Sequence, residues 1–139
     1  ISSNMTVTAV FTERFTTNHP TPYWWLASFG YTSNQETAIN NLGANGFPLW
    51  QSYIAGLTPT NPASQLRFTS ESLLQKTNLV LTWNTITGRV YSILTSTNAA
   101  GSFTPLANAT NLPPNLQAFT NPIAPNTATR FYRLQVQLP

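Results

Sequence analysis

The 139-residue chain has no cysteine, no aspartate, three glutamates, one histidine and one lysine. Each shortage closes off some chemistry. Without cysteine there is no disulfide framework, thiolate nucleophile or Cys-type zinc site, although secretion stays open. With Glu13, Glu36 and Glu71 as the only acidic side chains, paired-carboxylate hydrolysis and carboxylate-bound calcium have few groups to draw on. No run of 18 apolar residues occurs, so no transmembrane helix is expected. Only 6% of residues are charged, against about 25% in an average domain. The basic residues Arg14, Arg67, Lys76, Arg89, Arg130 and Arg133 are scattered and leave a net charge of +3. No basic run invites nucleic acid or an anionic membrane. The expectation is a protein with no cofactor, no enzymatic activity, no nucleic-acid partner and no membrane insertion.

What the chain does have is 41% hydrophobic and 12% aromatic residues, which a disordered chain would not carry. The length suffices for one self-supporting core. Thr, Asn, Ser and Gln take over the solvating role of charge, a composition that fits an extracellular or cell-surface setting. The opening Ile1-Ser-Ser-Asn4 reads as a processed product or a piece of a longer chain.

Three zones follow from periodicity. In residues 1–15, Met5, Val7, Ala9 and Phe11 alternate with Thr6, Thr8, Val10 and Thr12. That period of two predicts a separate N-terminal β-strand, which needs a partner because one strand alone is unstable. Residues 21–56 read as a short helical segment. Thr21 and Pro22 give a cap and a first position, Gly30 a stop, and Ser33-x-x-Glu36 a capping box. Pro48 opens a further helix that Gly56 closes. Residues 65–139 read as an antiparallel β-sandwich. Leu66 and Phe68, then Leu79, Leu81 and Trp83, then Tyr91 and Ile93, then Tyr132, Leu134, Val136 and Leu138 mark its strands. Turns are expected at Ala100-Gly101, Pro113-Pro114, Asn121-Pro122 and Pro125-Asn126.

The segment from Asn41 to Ser52 has the frame of a twelve-residue calcium loop without its carboxylates. Positions 1, 3, 5, 9 and 12 of such a loop supply ligands and position 6 is glycine. Here they are Asn41, Gly43, Asn45, Leu49 and Ser52, with Gly46 at the turn. Neutral amides and carbonyls alone make weak calcium sites, so a structural loop without metal is expected. His19 is the sole histidine, in the turn-forming run Asn18-His-Pro-Thr-Pro22, and no Gly-x-Ser-x-Gly elbow accompanies it. Trp24, Trp25, Trp50, Tyr53 and Trp83 admit two readings, a sugar-stacking platform or core packing. Strand phase puts Trp83 inside, and helical spacing does the same for Trp50 and Tyr53. Trp24 and Trp25 stay candidates for ligand stacking. Asn4-Met-Thr6 and Asn108-Ala-Thr110 match the glycan acceptor pattern, which arises by chance in Asn/Thr-rich chains.

Pro22-Tyr-Trp-Trp-Leu-Ala-Ser-Phe-Gly30, the Asn41 loop, Trp50-Gln-Ser-Tyr-Ile-Ala-Gly56 and Pro59-Thr-Asn-Pro-Ala-Ser64 together resemble a module of large secreted bacterial proteins. In that module a dockerin- or thrombospondin-type-3-like calcium loop precedes a conserved aromatic and Pro/Asn run. The resemblance covers about residues 23–64. Gly43, Leu49 and Ser52 stand where the family has ligands, and Thr58 where it has an aspartate, so its calcium binding is not carried over. Leu79-Val-Leu-Thr-Trp83, Gly88-Arg-Val-Tyr91, Ser96-Thr-Asn98 and Arg130-Phe-Tyr-Arg133 resemble a fibronectin type III-like or immunoglobulin-like domain, which commonly ends such polypeptides. Ser3 to Phe11 resembles the last strand of an internalin B-type repeat. The resemblance implies a non-catalytic structural module of a bacterial surface protein or filament. Its partners would be copies of itself or neighbouring domains, and Met5, Val7, Ala9 and Phe11 would form an assembly strand. A carbohydrate-binding accessory domain and an adhesin domain are the alternatives.

Overall fold

The computed structural model describes residues 8–10, 12–124 and 128–139. The fold is mainly β, with two small antiparallel sheets preceded by three short helices. The helices are α1 (Tyr23–Ser28), α2 (Gln35–Ala38) and α3 (Leu49–Ala55). The strands are β1 (Phe68–Leu74), β2 (Asn78–Trp83), β3 (Val90–Ser96), β4 (Thr104–Pro105), β5 (Ala118–Pro122) and β6 (Phe131–Gln137). Sheet order is β1-β2-β5 in one sheet and β4-β3-β6 in the other. No helix among the described residues is long and apolar enough to cross a membrane.

Strand phase decides what the sheets bury. In β2, Leu81 and Trp83 point inward; in β3, Tyr91 and Ile93 do. They meet Leu106, Ala109 and Leu112 in the main core, flanked by Leu66, Phe68, Phe119, Tyr132, Leu134 and Val136. Trp83 is 1% exposed, as its strand phase predicts. Phe68 and Tyr91 pack around its ring, with centroids 6.4 Å away in both cases.

Leu106, Ala109 and Leu112 lie in no strand, yet their backbones bond to β3. Leu106 N–H donates to Ile93 O (2.8 Å), Ile93 N–H to Ala109 O (2.8 Å), and Tyr91 and Leu112 exchange bonds of 2.9 and 2.7 Å. Asn108 and Asn111 make this possible by taking left-handed φ of 60° and 52°, a conformation asparagine tolerates better than most residues. Asn108 is exposed there.

Several sequence expectations need correction. Asn121-Pro122 is the end of β5 rather than a turn. Proline lacks the ladder N–H and is confined to edge strands or strand ends, and Pro122 is on both, opposite Asn78. The capping box is absent. The residue before α2 is Asn34, with left-handed φ of 50° and no side-chain cap bond, and Glu36 turns elsewhere. The residue before α1 is Pro22, while the Thr21 hydroxyl donates to His19 O at 2.8 Å. The stop after α3 is as expected. Gly56 takes φ of 67°, its N–H donates to Tyr53 O (3.0 Å), and Leu57 N–H donates to Ser52 O (2.8 Å), a Schellman closure.

Of the expected N-terminal strand, Met5, Val7 and Phe11 lie outside the described residues, as do Asn4 and Pro125-Asn126. Thr8, Ala9 and Val10 are exposed and belong to no strand, and Val10 is 86% exposed.

Candidate functional site: the Asn41–Ser52 loop and its junction with the sandwich

The loop closes on itself through the residues at its fifth and twelfth positions. Asn45 is 3% exposed and Ser52 0%. The Asn45 side-chain N–H donates to the Ser52 hydroxyl at 3.0 Å, and Asn45 Oδ1 accepts from Phe47 N–H at 3.2 Å. A calcium ion would bridge these two positions through carboxylates. Here one amide–hydroxyl bond spans them directly, and both buried groups are satisfied as burial demands. The frame around them is backbone. Leu49 N–H donates to Asn41 O (3.1 Å), Gly43 N–H to Phe47 O (2.9 Å) and Gly46 N–H to Gly43 O (3.0 Å). Asn41 itself is exposed, and buried Leu49 belongs to the helical core with Leu26 and Ile39.

Gly43 is required by crowding. A Cβ there would lie 2.6 Å from Pro59 O and 2.9 Å from Asn45 Oδ1. The Pro59–Ser64 turn therefore presses on the loop, and Pro59 O also accepts from Asn45 N–H (3.3 Å). The turn holds its own shape through Ser64 Oγ accepting from Thr58 N–H (2.9 Å) and Asn61 Oδ1 accepting from Ala63 N–H (3.0 Å).

The junction with the sandwich is built on Arg89, the residue before β3. Its guanidinium donates to Ile54 O (2.5 Å) and Tyr53 O (2.7 Å), carbonyls in the last turn of α3, and lies 5.4 Å from the Tyr53 ring centroid. A cation at a helix C-terminus satisfies orphan carbonyls and matches the helix dipole. Next to it Gly56 approaches Ile86 so closely that a Cβ would sit 2.7 Å from Ile86 Cδ1. Between α3 and β6 runs a groove of about 430 Å³ that Trp50, Ile54, Leu66, Leu134 and Val136 help to line.

The two tryptophan candidates are not neighbours on one face. Trp24 is 59% exposed, and its indole N–H donates to Glu13 Oε1. Trp25 is half-buried against the helical core, edge-on to Phe29 and Tyr53 at 4.9 and 5.4 Å. His19 stacks on Trp50 with centroids 3.9 Å apart and planes 6° from parallel. Its backbone φ of 55° makes it a turn residue. Glu36 ties the strap before α1 to α2. Its carboxylate accepts from the Tyr23 hydroxyl (2.6 Å) and Thr17 N–H (2.9 Å). The Tyr23 bond and then the Thr17 bond hold the Glu36 carboxyl below its ordinary pKa, and the same Glu36 bond raises that of Tyr23. Among the described residues no three His, Cys, Asp or Glu side chains gather as a metal-binding group.

Sequence reasoning singled out Asn45 and Ser52 by loop position and missed that they bond to each other. Arg89 stands within a strand motif, and nothing local in the sequence marks its role. The clamp joins residues 35 and 36 positions apart, which no local pattern encodes. Family models, curated proteins and solved structures yield no match to this chain.

Proposed function

We propose that this chain is a non-catalytic structural module of an extracellular bacterial surface protein, in which a metal-free loop segment is welded to a β-sandwich to make one stiff unit. The observation that carries this reading is the pairing of Asn45 with Ser52 beside the Arg89 clamp. A loop descended from a calcium frame keeps its closure without ion-dependent stability, and the helix that follows it is pinned to the sheet. The resemblance to surface-protein modules agrees with such a spacer role. The fibronectin III/immunoglobulin-like reading is supported by strand order. β1-β2-β5 facing β4-β3-β6 matches the A-B-E and C′-C-F neighbours of an immunoglobulin-type sandwich.

A second reading, carbohydrate binding, rests on exposed Trp24. A glycan array run with calcium and with chelator separates the two. The spacer reading expects no saturable binding in either condition. Saturable binding abolished by Trp24→Ala would replace it with the carbohydrate-binding reading.

A further inference from the structure

We propose that the β6 side of the sandwich accepts the N-terminal segment Ser3–Phe11 of a second copy of this chain as an added strand. The inference rests on the structural-module reading and names that module's partner. Three observations carry it. First, β6 ends its sheet. It pairs with β3 on one side, and no other strand among the described residues takes the other. An open edge presents unpaired backbone groups, a template for strand addition.

Second, a mainly apolar groove lies between α3 and β6. Leu134 and Val136 of β6 and Leu66 ahead of β1 line it together with Trp50 and Ile54 of α3, and Arg133 and Gln135 add polar groups. Leu66, Leu134 and Val136 also flank the main core, so a strand seated here would extend the core. In an immunoglobulin-type sandwich the strand after the sixth occupies the place beside β6.

Third, Ser3–Phe11 has the matching pattern. Met5, Val7, Ala9 and Phe11 fall on one side of an extended chain and Thr6, Thr8 and Val10 on the other, with no charged residue in the segment. Its described central residues, Thr8 to Val10, are exposed and in no strand. These three residues are thus not paired as a strand within their own chain, and the occupant we assign to the groove is the segment of another copy. Donor and acceptor surfaces are different patches, so the contact is head-to-tail and propagates unless it closes into a ring.

The absence of native cysteine makes the test direct. Two single variants of the 139-residue chain, Ala9→Cys and Gln135→Cys, are mixed under mild oxidation. Gln135 is an exposed β6 residue. The expected result is covalent dimer at least about tenfold above that from Ala9→Cys mixed with Thr120→Cys, an exposed β5 position in the other sheet, at the edge opposite β1, because docking raises the effective concentration of the two thiols. Val7→Asp introduced into the Ala9→Cys chain should remove the excess. Equal yields in the two mixtures would overturn the proposal. So would an intramolecular disulfide in the Ala9→Cys/Gln135→Cys double variant at low concentration, which would mean seating within one chain. Either failure leaves the glycan-array result, and so the module reading, untouched.

Discussion

The helical segment and the sandwich solve the same problem by different means. The sandwich buries Trp83, Tyr91, Ile93 and Leu81 between two sheets and gains stability from apolar contact. The helical segment has three helices of 6, 4 and 7 residues, each too short to persist alone, around a core of Leu26, Ile39 and Leu49. It makes up the difference with polar closures: Asn45 to Ser52, Glu36 to Tyr23 and Thr17, and Arg89 to the end of α3. A segment with little apolar material thus holds its shape through satisfied hydrogen bonds, of which Asn45–Ser52 is buried, and a neighbour to lean on.

The comparison breaks most visibly at Trp83. Trp83→Ala should cost about 3–5 kcal/mol in chemical denaturation, the usual range for a large buried aromatic. Its indole N–H has no hydrogen-bond partner among the described residues, so the contribution is apolar and Trp83→Phe should recover much of it. A cost under about 1 kcal/mol for Trp83→Ala would place the side chain outside a packed core.

Arg89→Ala removes two charge-assisted bonds and should lower stability by about 1.5–3 kcal/mol. The sharper readout is cooperativity. In a Trp83→Phe background, fluorescence of Trp24, Trp25 and Trp50 in the helical segment and far-ultraviolet signal from the sheets should melt together with Arg89 present and separate once it is replaced. Coincident transitions in both would mean that the clamp does not couple the two regions.

Asn45→Ala leaves Ser52 and Phe47 N–H without their partner and should cost about 1–3 kcal/mol, the penalty for an unsatisfied buried group. Proteolysis should then begin within residues 41–64 while the sandwich stays intact. Cleavage starting in the sheets would contradict the assignment of this bond to the loop.

The smallest effect concerns pH. Glu36 has a lowered folded pKa, so its contribution is fully present above its unfolded pKa and lost as pH falls through the folded value. Glu36→Gln should flatten that acid limb and leave stability near neutrality almost unchanged, because the group is on the surface. An undiminished acid limb in Glu36→Gln would show that another group controls it.

Legibility in the sequence followed period and ended where period ended. Leu81 and Trp83, Tyr91 and Ile93, and Leu134 and Val136 alternate cleanly, and the structure puts each on the inner side of its strand. Leu106, Ala109 and Leu112 recur every three residues with Asn108 and Asn111 between them, a tight-turn pattern that neither strand nor helix templates detect. β5 was hidden by Asn121-Pro122, since edge position excuses a proline that a central strand would reject. Ser33 and Glu36 matched a cap by spacing, but Glu36 finds Tyr23 and Thr17, 13 and 19 positions away. The turn of the loop was legible because Gly46 takes a positive φ of 81°, a conformation glycine adopts freely. Its closing bond was not, because a list of expected ligands does not ask whether two of them bond to each other.

Asn45 and Ser52 close the loop with one hydrogen bond, and on the proposed reading that closure needs no metal. Thermal melting of the chain in millimolar calcium, then in excess chelator, tests it most directly. Ligand binding to the folded state must raise stability by mass action, so the account predicts superimposable transitions in the two conditions. A chelator-induced fall of several degrees would contradict it and return the loop to the calcium-binding class.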